Sequence, residues 1–368
     1  MTVPQRGCVR ARRRCAPNIG HVAAGREQRG LTLLELLIAM TLGLLICSAM
    51  VAVFLTGRDA YAMVEDSTRM DDSGRYAIET ITRAVRQSGF IDWGAGTEVP
   101  SDAAPAVRGL DARSLKSNGV AIESPLPRAV NGSDVLALRF GGAGSGPSGD
   151  GSVANCAGFG VGEVSVTGQS DPTARPDGGT ALPDRLNGAS IFYVAHDRTG
   201  EPELYCKYRG KTAWASVAIA RGVESFQVLY GVGASATAYP ARFLTATQVD
   251  ALDDRLLLHG VDAIQREREK NRRSHWKKVS AIRFALLVHG AQSLRKDRPT
   301  ATYDLFGADY GTRFGATDLG SRVTDAAMNP QQRKRMRRVF SAIVRVRNPP
   351  LEALAPLPTS AAASTVSW

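Results

Sequence analysis

Glu35 is the single charged side chain in an apolar run, LTLLELLIAMTLGLLICSAMVAVFL, that extends from residue 31 to residue 55. A carboxylate is costly in hydrocarbon unless it meets a cation or reaches the headgroups, so an ion pair between helices is the chemistry this position offers. Snorkelling to the membrane interface is the plain alternative. The five cysteines offer a second chemistry. Cys8 and Cys15 precede the apolar run, Cys47 lies inside it, and Cys156 and Cys206 follow it. Their pairing depends on the compartment each segment occupies.

The other reactive side chains form no catalytic constellation. His21, His196, His259, His275 and His289 contain no HExxH and no paired metal-ligand spacing. The stretch GFGVG at 158–162 lacks both the GxGxxG of a dinucleotide turn and the Lys-Ser/Thr of a P-loop. Asp150 and Asp171 sit in Gly-rich loops without EF-hand spacing. No metal, no cofactor and no enzymatic activity are expected. Two basic runs, REREKNRRSHWKK (266–278) and QQRKRMRR (331–338), could contact phosphates, with Trp276 stacking on a base, which would make DNA a partner. Solvated faces or contacts with acidic neighbours in an assembly are the plainer account.

The elements that must position these groups follow from charge and periodicity. The 368 residues are 43% hydrophobic and 22% charged, which excludes a disordered chain or a disulfide-stapled miniprotein. Of the net charge of +11, +6 sits in the first 30 residues, where seven Arg face only Glu27. By the positive-inside rule this arm stays in the cytoplasm and the body is exported. Residues 36–55 are uninterrupted and apolar, about 30 Å of helix, enough to span a bilayer. No proline interrupts residues 57–88, and Tyr61, Val64, Tyr76, Ile81 and Val85 recur near one face, so the helix continues as an amphipathic one until Gly89. Six β-rich segments follow, at 134–140, 189–195, 203–208, 225–231, 279–290 and 338–348. The last alternates Phe340, Ala342, Val344 and Val346 with Ser341, Arg345 and Arg347, the pattern of a half-buried antiparallel strand. The Gly-rich stretches 141–152 and 167–179 are expected to be flexible surface loops. The class is α+β, a long N-terminal helix, transmembrane and then amphipathic, packed on an antiparallel β-sheet.

The junction RG-LTLLELLIAM resembles the type IV prepilin signal, a basic leader ending in Gly before an apolar helix that carries Glu five residues in. Behind it, GRYAIETITRAVRQSGF (74–90), SDVLALRF (133–140), PELYCKY (202–208), ARGVESFQVLYGV (220–232), VSAIRFALLVHG (279–290) and RRVFSAIVRVRN (337–348) resemble PilW-type minor pilins of the pilin-like fold. The nearest alternatives are a J-type minor pseudopilin of type II secretion and a membrane-anchored periplasmic binding or adhesin module. The resemblance implies a non-catalytic minor subunit incorporated in a type IV pilus or priming its assembly. It implies cleavage after Gly30 by a prepilin peptidase, methylation of the new amine of Leu31, and pairing of Glu35 with the first residue of a neighbouring subunit. The implied partners are other minor and major pilins, the peptidase, the inner membrane and the pilus assembly machinery. The implied organisation is a cleaved leader (1–30), a transmembrane assembly helix (31–55), its amphipathic continuation (56–89), a periplasmic domain (90–348) and a disordered tail (349–368). The subunit would cross the inner membrane once and later stand in a surface pilus.

With the leader gone and Cys47 in the bilayer, Cys156 and Cys206 are the two exported cysteines, expected to form a disulfide; two buried thiols are the other reading. The junction itself is directly testable. Intact-mass measurement of the membrane-extracted protein should show loss of residues 1–30 and gain of one methyl group, and functional protein that retains its leader would sink the prepilin reading.

Overall fold

The protein is described from a computed structural model covering residues 32–92, 101–163, 186–210, 213–233, 239–292 and 300–348. Gly30 and Leu31, the arm with Cys8 and Cys15, the loop at 167–179 and the tail at 349–368 lie outside the described residues. The chain divides into two compact units, Met1–Arg58 and Asp59–Trp368. One helix, α1 (Leu33–Gln87), belongs to both.

In the first unit α1 is exposed on every side, and among the described residues it is the one helix long and apolar enough to cross a membrane. Its few hydroxyls cause no polar break, because Thr41, Ser48 and Thr56 donate back to the carbonyls of Ile38, Leu45 and Ala52 at 2.9, 2.8 and 2.6 Å. In the second unit α1 buries one stripe, Asp66, Met70, Gly74, Ala77, Ile81, Ala84 and Val85, at spacings of mostly three and four residues. Gly74 leaves room there for Phe340. A Cβ at that position would lie 2.4 Å from the ring of Phe340.

Two main sheets receive this stripe, where the sequence suggests one. The first is an antiparallel meander of β1 (Val107–Leu110), β2 (Val135–Phe140), β3 (Gly188–His196), β4 (Pro202–Arg209) and β5 (Trp214–Arg221), in chain order. The chain then passes through the single residue Gly222, at φ +74°, into β6 (Val223–Val232) of the second sheet. That sheet is completed by β7 (Arg242–Leu244), β8 (Val279–His289) and β11 (Arg337–Arg345), ordered β11-β8-β6-β7. The main core lies between α1 and the facing sides of both sheets, with Phe192, Leu204, Phe226, Phe284 and Leu286 at its centre. The outer side of the second sheet is covered by a small unit of β9 (Thr302–Asp304), α4 (Ala308–Phe314) and β10 (Arg322–Thr324), through Leu305, Phe306 and Val323. Two short helices, α2 (Ala246–Asp253) and α3 (Ala263–Arg273), precede β8, and a third, α5 (Pro330–Arg333), precedes β11.

The glycine-rich stretch 141–152 is not a flexible linker. Its backbone folds onto 153–162: Ala143 N–H donates to Val161 O at 3.0 Å, and Ala143 and Val153 are buried with Phe140. A Cβ on Gly142 would fall 1.9 Å from the carbonyl of Gly162, so this packing excludes side chains.

A polar joint ties the two sheets. Asp134 accepts from Ala112 N–H at 3.0 Å on one side and from Val228 N–H at 2.9 Å on the other. Gln227 Nε2 donates to Gly132 O at 2.8 Å, and Ser225 Oγ donates to Gly320 O at 3.1 Å, which seats the 130–134 turn between β6 and the 318–321 turn. Nearby Asp318 accepts from Tyr310 Oη at 2.9 Å. Burial pushes the Asp318 carboxyl up to about 6. A raised carboxylate favours folding below the unfolded value near 4, and that contribution disappears as pH rises through 6. Asp318→Asn should therefore gain stability relative to the parent as pH rises from 4 to 7, by up to about 3 kcal/mol. Urea midpoints measured at pH 4, 5 and 7 check this; a difference that does not change with pH would contradict it.

Candidate functional site

Glu35 occupies the third position of α1, with Thr32 immediately before the helix. Thr32 N–H and Oγ1 donate to Glu35 Oε2 at 3.0 and 3.1 Å, and Glu35 N–H donates to Thr32 Oγ1 at 3.2 Å. This is a reciprocal capping box, two open helix donors satisfied by one Thr-x-x-Glu pattern. That spacing is readable in the sequence and identifies Thr32, which the charge-based reading of Glu35 passes over. The carboxylate is held at the amino end of the helix and remains exposed, as do Leu36, Leu37 and Ile38 beside it. Its second oxygen is directed to none of the capping donors, so it can accept a cation from outside the chain.

The run 331–338 serves inside the fold. Arg337 makes a two-pronged ion pair with Glu224, Nε to Oε2 at 2.6 Å and Nη2 to Oε1 at 2.8 Å, with its side chain fully buried. Arg335 holds Glu201 of the β3–β4 hairpin in the same way at 2.6 and 2.8 Å, and this keeps the Glu201 carboxyl below the usual carboxylate range. Arg338 pairs with Asp71 of α1. Three cations that could meet phosphates are instead rivets: Arg337 and Arg338 tie β11 to β6 and to α1, and Arg335, just before β11, ties the chain to the hairpin. None of these partners lies within a hundred residues of its arginine, so no local pattern announces them.

The run 266–278 is divided. Helix α3 has no buried side chain, and its Arg268, Lys270 and Arg273 reach Asp102, Asp254 and Glu269 at 3.8, 3.7 and 3.2 Å. Trp276 is not available for stacking on a base. It is 2% exposed, donates from Nε1 to Asp250 at 2.8 Å and meets the Tyr230 ring edge-on at 4.8 Å. Among the described residues no group of His, Cys, Asp or Glu is arranged to hold a metal ion.

Cys156 and Cys206 are bonded, with Cα atoms 6.0 Å apart. Cys206 lies in β4 opposite Val217 of β5 and within the main core, so the bridge staples the folded loop to the core side of the first sheet. Cys47 is a free thiol on the exposed apolar part of α1.

The comparisons with known proteins come to bear on these two parts of the chain. Residues 25–55 match the prokaryotic N-terminal methylation motif, and residues 191–348 match the family described as type IV pilus-assembly protein W. The two matches support a PilW-type type IV pilin. The chain is a minor pilin involved in pilus assembly, in a family of structural and assembly proteins. Among solved structures, a type IV-like pilin from Thermus thermophilus aligns with 77% of this chain and 98% of its own at 13% identity and a TM-score of 0.33. No curated protein matches the chain.

The matched PilW segment begins inside β3 and ends beyond β11, so it contains Cys206 and the partners Glu201, Glu224, Arg335 and Arg337, whereas Cys156 lies before it. Membership implies contact with other pilins and the pilus machinery, and the N-terminal apolar helix fits a membrane-anchored pilin. The bridge closes a loop of 50 residues, for which chain entropy gives about 4 kcal/mol. Cys206→Ser should therefore lower the folded-state stability of this pilin substantially, read as a lower urea midpoint than the oxidised parent. Equal midpoints for parent and variant would show that the cross-link constrains nothing.

Proposed function

We propose that this pilin is a non-catalytic subunit processed between Gly30 and Leu31, anchored once in the inner membrane with its body in the periplasm, and passed from there into a pilus. The observation that carries this reading is the first half of α1, apolar on all sides, uncovered by the other described residues, and bearing one carboxylate at its amino end. Such a surface needs lipid or other helices around it. Cleavage after Gly30 by a prepilin peptidase leaves a new amine on Leu31, four residues before Glu35.

Methylated and cationic, the amine of one subunit meets Glu35 of its neighbour as the helices exchange lipid for one another. Buried between apolar helices, this pair sets axial register, because a slip of one turn strands two charges in a dry environment. Thr32 supports the reading: its two donors keep the carboxylate partly satisfied while the subunit waits in the membrane, and they leave one oxygen for the partner. The assembly machinery then sorts subunits by whether the charge is matched.

Glu35→Ala separates anchoring from assembly. It removes a charge from the apolar run, so membrane insertion and leader processing should be undiminished. Piliation, scored by electron microscopy or sheared-pilus yield in a deletion strain carrying the variant, should fall. Wild-type piliation with this variant would rule out the pairing role.

A further inference from the structure

Between α2 and β8 the chain makes an excursion, residues 254–273, in which no residue is buried. One carboxylate closes its neck. Asp253 Oδ2 accepts from Ser274 Oγ at 2.5 Å, and Asp253 Oδ1 accepts from His275 N–H at 2.6 Å. Below the neck, buried Trp276 is bonded to Asp250 of α2 and fixes the base. The excursion itself adds nothing to the core, and long connections of this kind carry function.

The excursion nevertheless has internal order. Asp262 caps α3 by accepting from Gln265 N–H at 2.7 Å, and Gln265 Oε1 accepts from Val261 N–H at 3.2 Å. Arg273 Nη1 donates to Leu257 O at 2.8 Å. These bonds hold the loop before α3 against the helix, and they leave Leu257, Val261 and Ile264 exposed by 77, 90 and 46%. Large apolar side chains turned outward from a segment that is held in place mark an interaction surface.

The same segment concentrates positive charge. Residues 254–278 hold eight Lys and Arg against four acids, +4 of the +5 that the chain carries after residue 30. Arg255, Arg266 and Arg272 are exposed and form no ion pair among the described residues. The segment springs from one end of the body. β8 starts directly after it, and past the far end of β8 Ala291 N–H donates to Asp66 Oδ1 at 2.7 Å, near the point where α1 enters the body. The tip thus lies toward the Gln87 end of α1, opposite that entry.

Charge and apolar exposure together select the partner. A second copy carries the same excess of cations and repels it. Duplex nucleic acid offers phosphates but nothing for three aliphatic side chains. An anionic bilayer accepts both, with headgroups for the arginines and the acyl boundary for Leu257, Val261 and Ile264. Side chains that stand out from the surface suit a deformable medium, which needs no matched pocket. We propose that the 254–273 excursion is a docking tip for an anionic lipid surface that approaches the body from the Gln87 end. This contact is separate from the anchoring of α1 and from Glu35.

Vesicle flotation tests it. The full chain, held in phosphatidylcholine nanodiscs that cover the apolar half of α1, is mixed with vesicles of phosphatidylglycerol and phosphatidylcholine in equal parts, or of phosphatidylcholine alone. It should float with the anionic vesicles only, and high salt should release it. Arg266→Gln combined with Arg272→Gln should lower the partition about tenfold or more. Leu257→Ser combined with Val261→Ser should lower it by about the same factor. All four positions are exposed, and an intact disulfide and an unchanged circular dichroism spectrum verify the fold of each variant. Equal flotation with both vesicle types, flotation with neither, or a serine variant that floats like the parent would overturn the proposal. Duplex DNA that displaces the chain from anionic vesicles, and that parent and serine variant bind equally, would also overturn it by assigning the cations to a phosphate backbone.

Discussion

An apolar helix cannot be left in water, and the first half of α1 is apolar on every face. The physical constraint on this protein is therefore that one continuous helix must serve two surroundings. Before Arg58 it offers side chains to lipid or to other helices, with hydroxyls turned back onto its own carbonyls; after Asp59 it presents a single stripe to a core. The stripe has to be narrow and smooth for the sheets to approach, which is why Gly74 and Ala77 stand where Phe340 and its neighbours arrive. The body can thus be read as a device for holding one helix by its second half while leaving the first half free to change its environment.

The parts of this arrangement that depend on local pattern were legible in the sequence. The apolar run, its lone carboxylate, the absence of proline to residue 88 and six of the longer strands all follow from composition and periodicity. What escaped was long-range. Strands β6 and β8 are buried on both faces, so they show no alternation that would reveal a second sheet above them. Short β1, β7, β9 and β10 are formed by their partners rather than by their own preference. Edge strand β5 is rich in Ala, which carries little strand signal. The glycine-rich stretch read as a linker because composition alone cannot distinguish freedom from close backbone contact.

The basic residues show the same limit. Charge counts suggested phosphate contact at 266–278 and 331–338, whereas the second run is spent on Glu201, Glu224 and Asp71. A guanidinium buried against a carboxylate with two parallel hydrogen bonds fixes distance and orientation together, which a methylene contact cannot. Removing either member of the Arg337–Glu224 pair would leave an unpaired charge in a dry place, so that pair specifies the arrangement of elements more than it adds to its stability.

The closing contacts also impose an order in time. Arg338 meets Asp71 and Asn348 meets the carbonyls of Arg86 and Ser88 across more than 250 residues of intervening chain. The helix that opens the described residues is completed by the last described strand. Until β11 exists, the stripe on α1 lacks Phe340, and the second sheet lacks one of its two long-paired neighbours of β8. Native contacts of such high sequence separation make folding slow and place it after the whole chain is available. A body of this kind closes around its helix only once β11 is present.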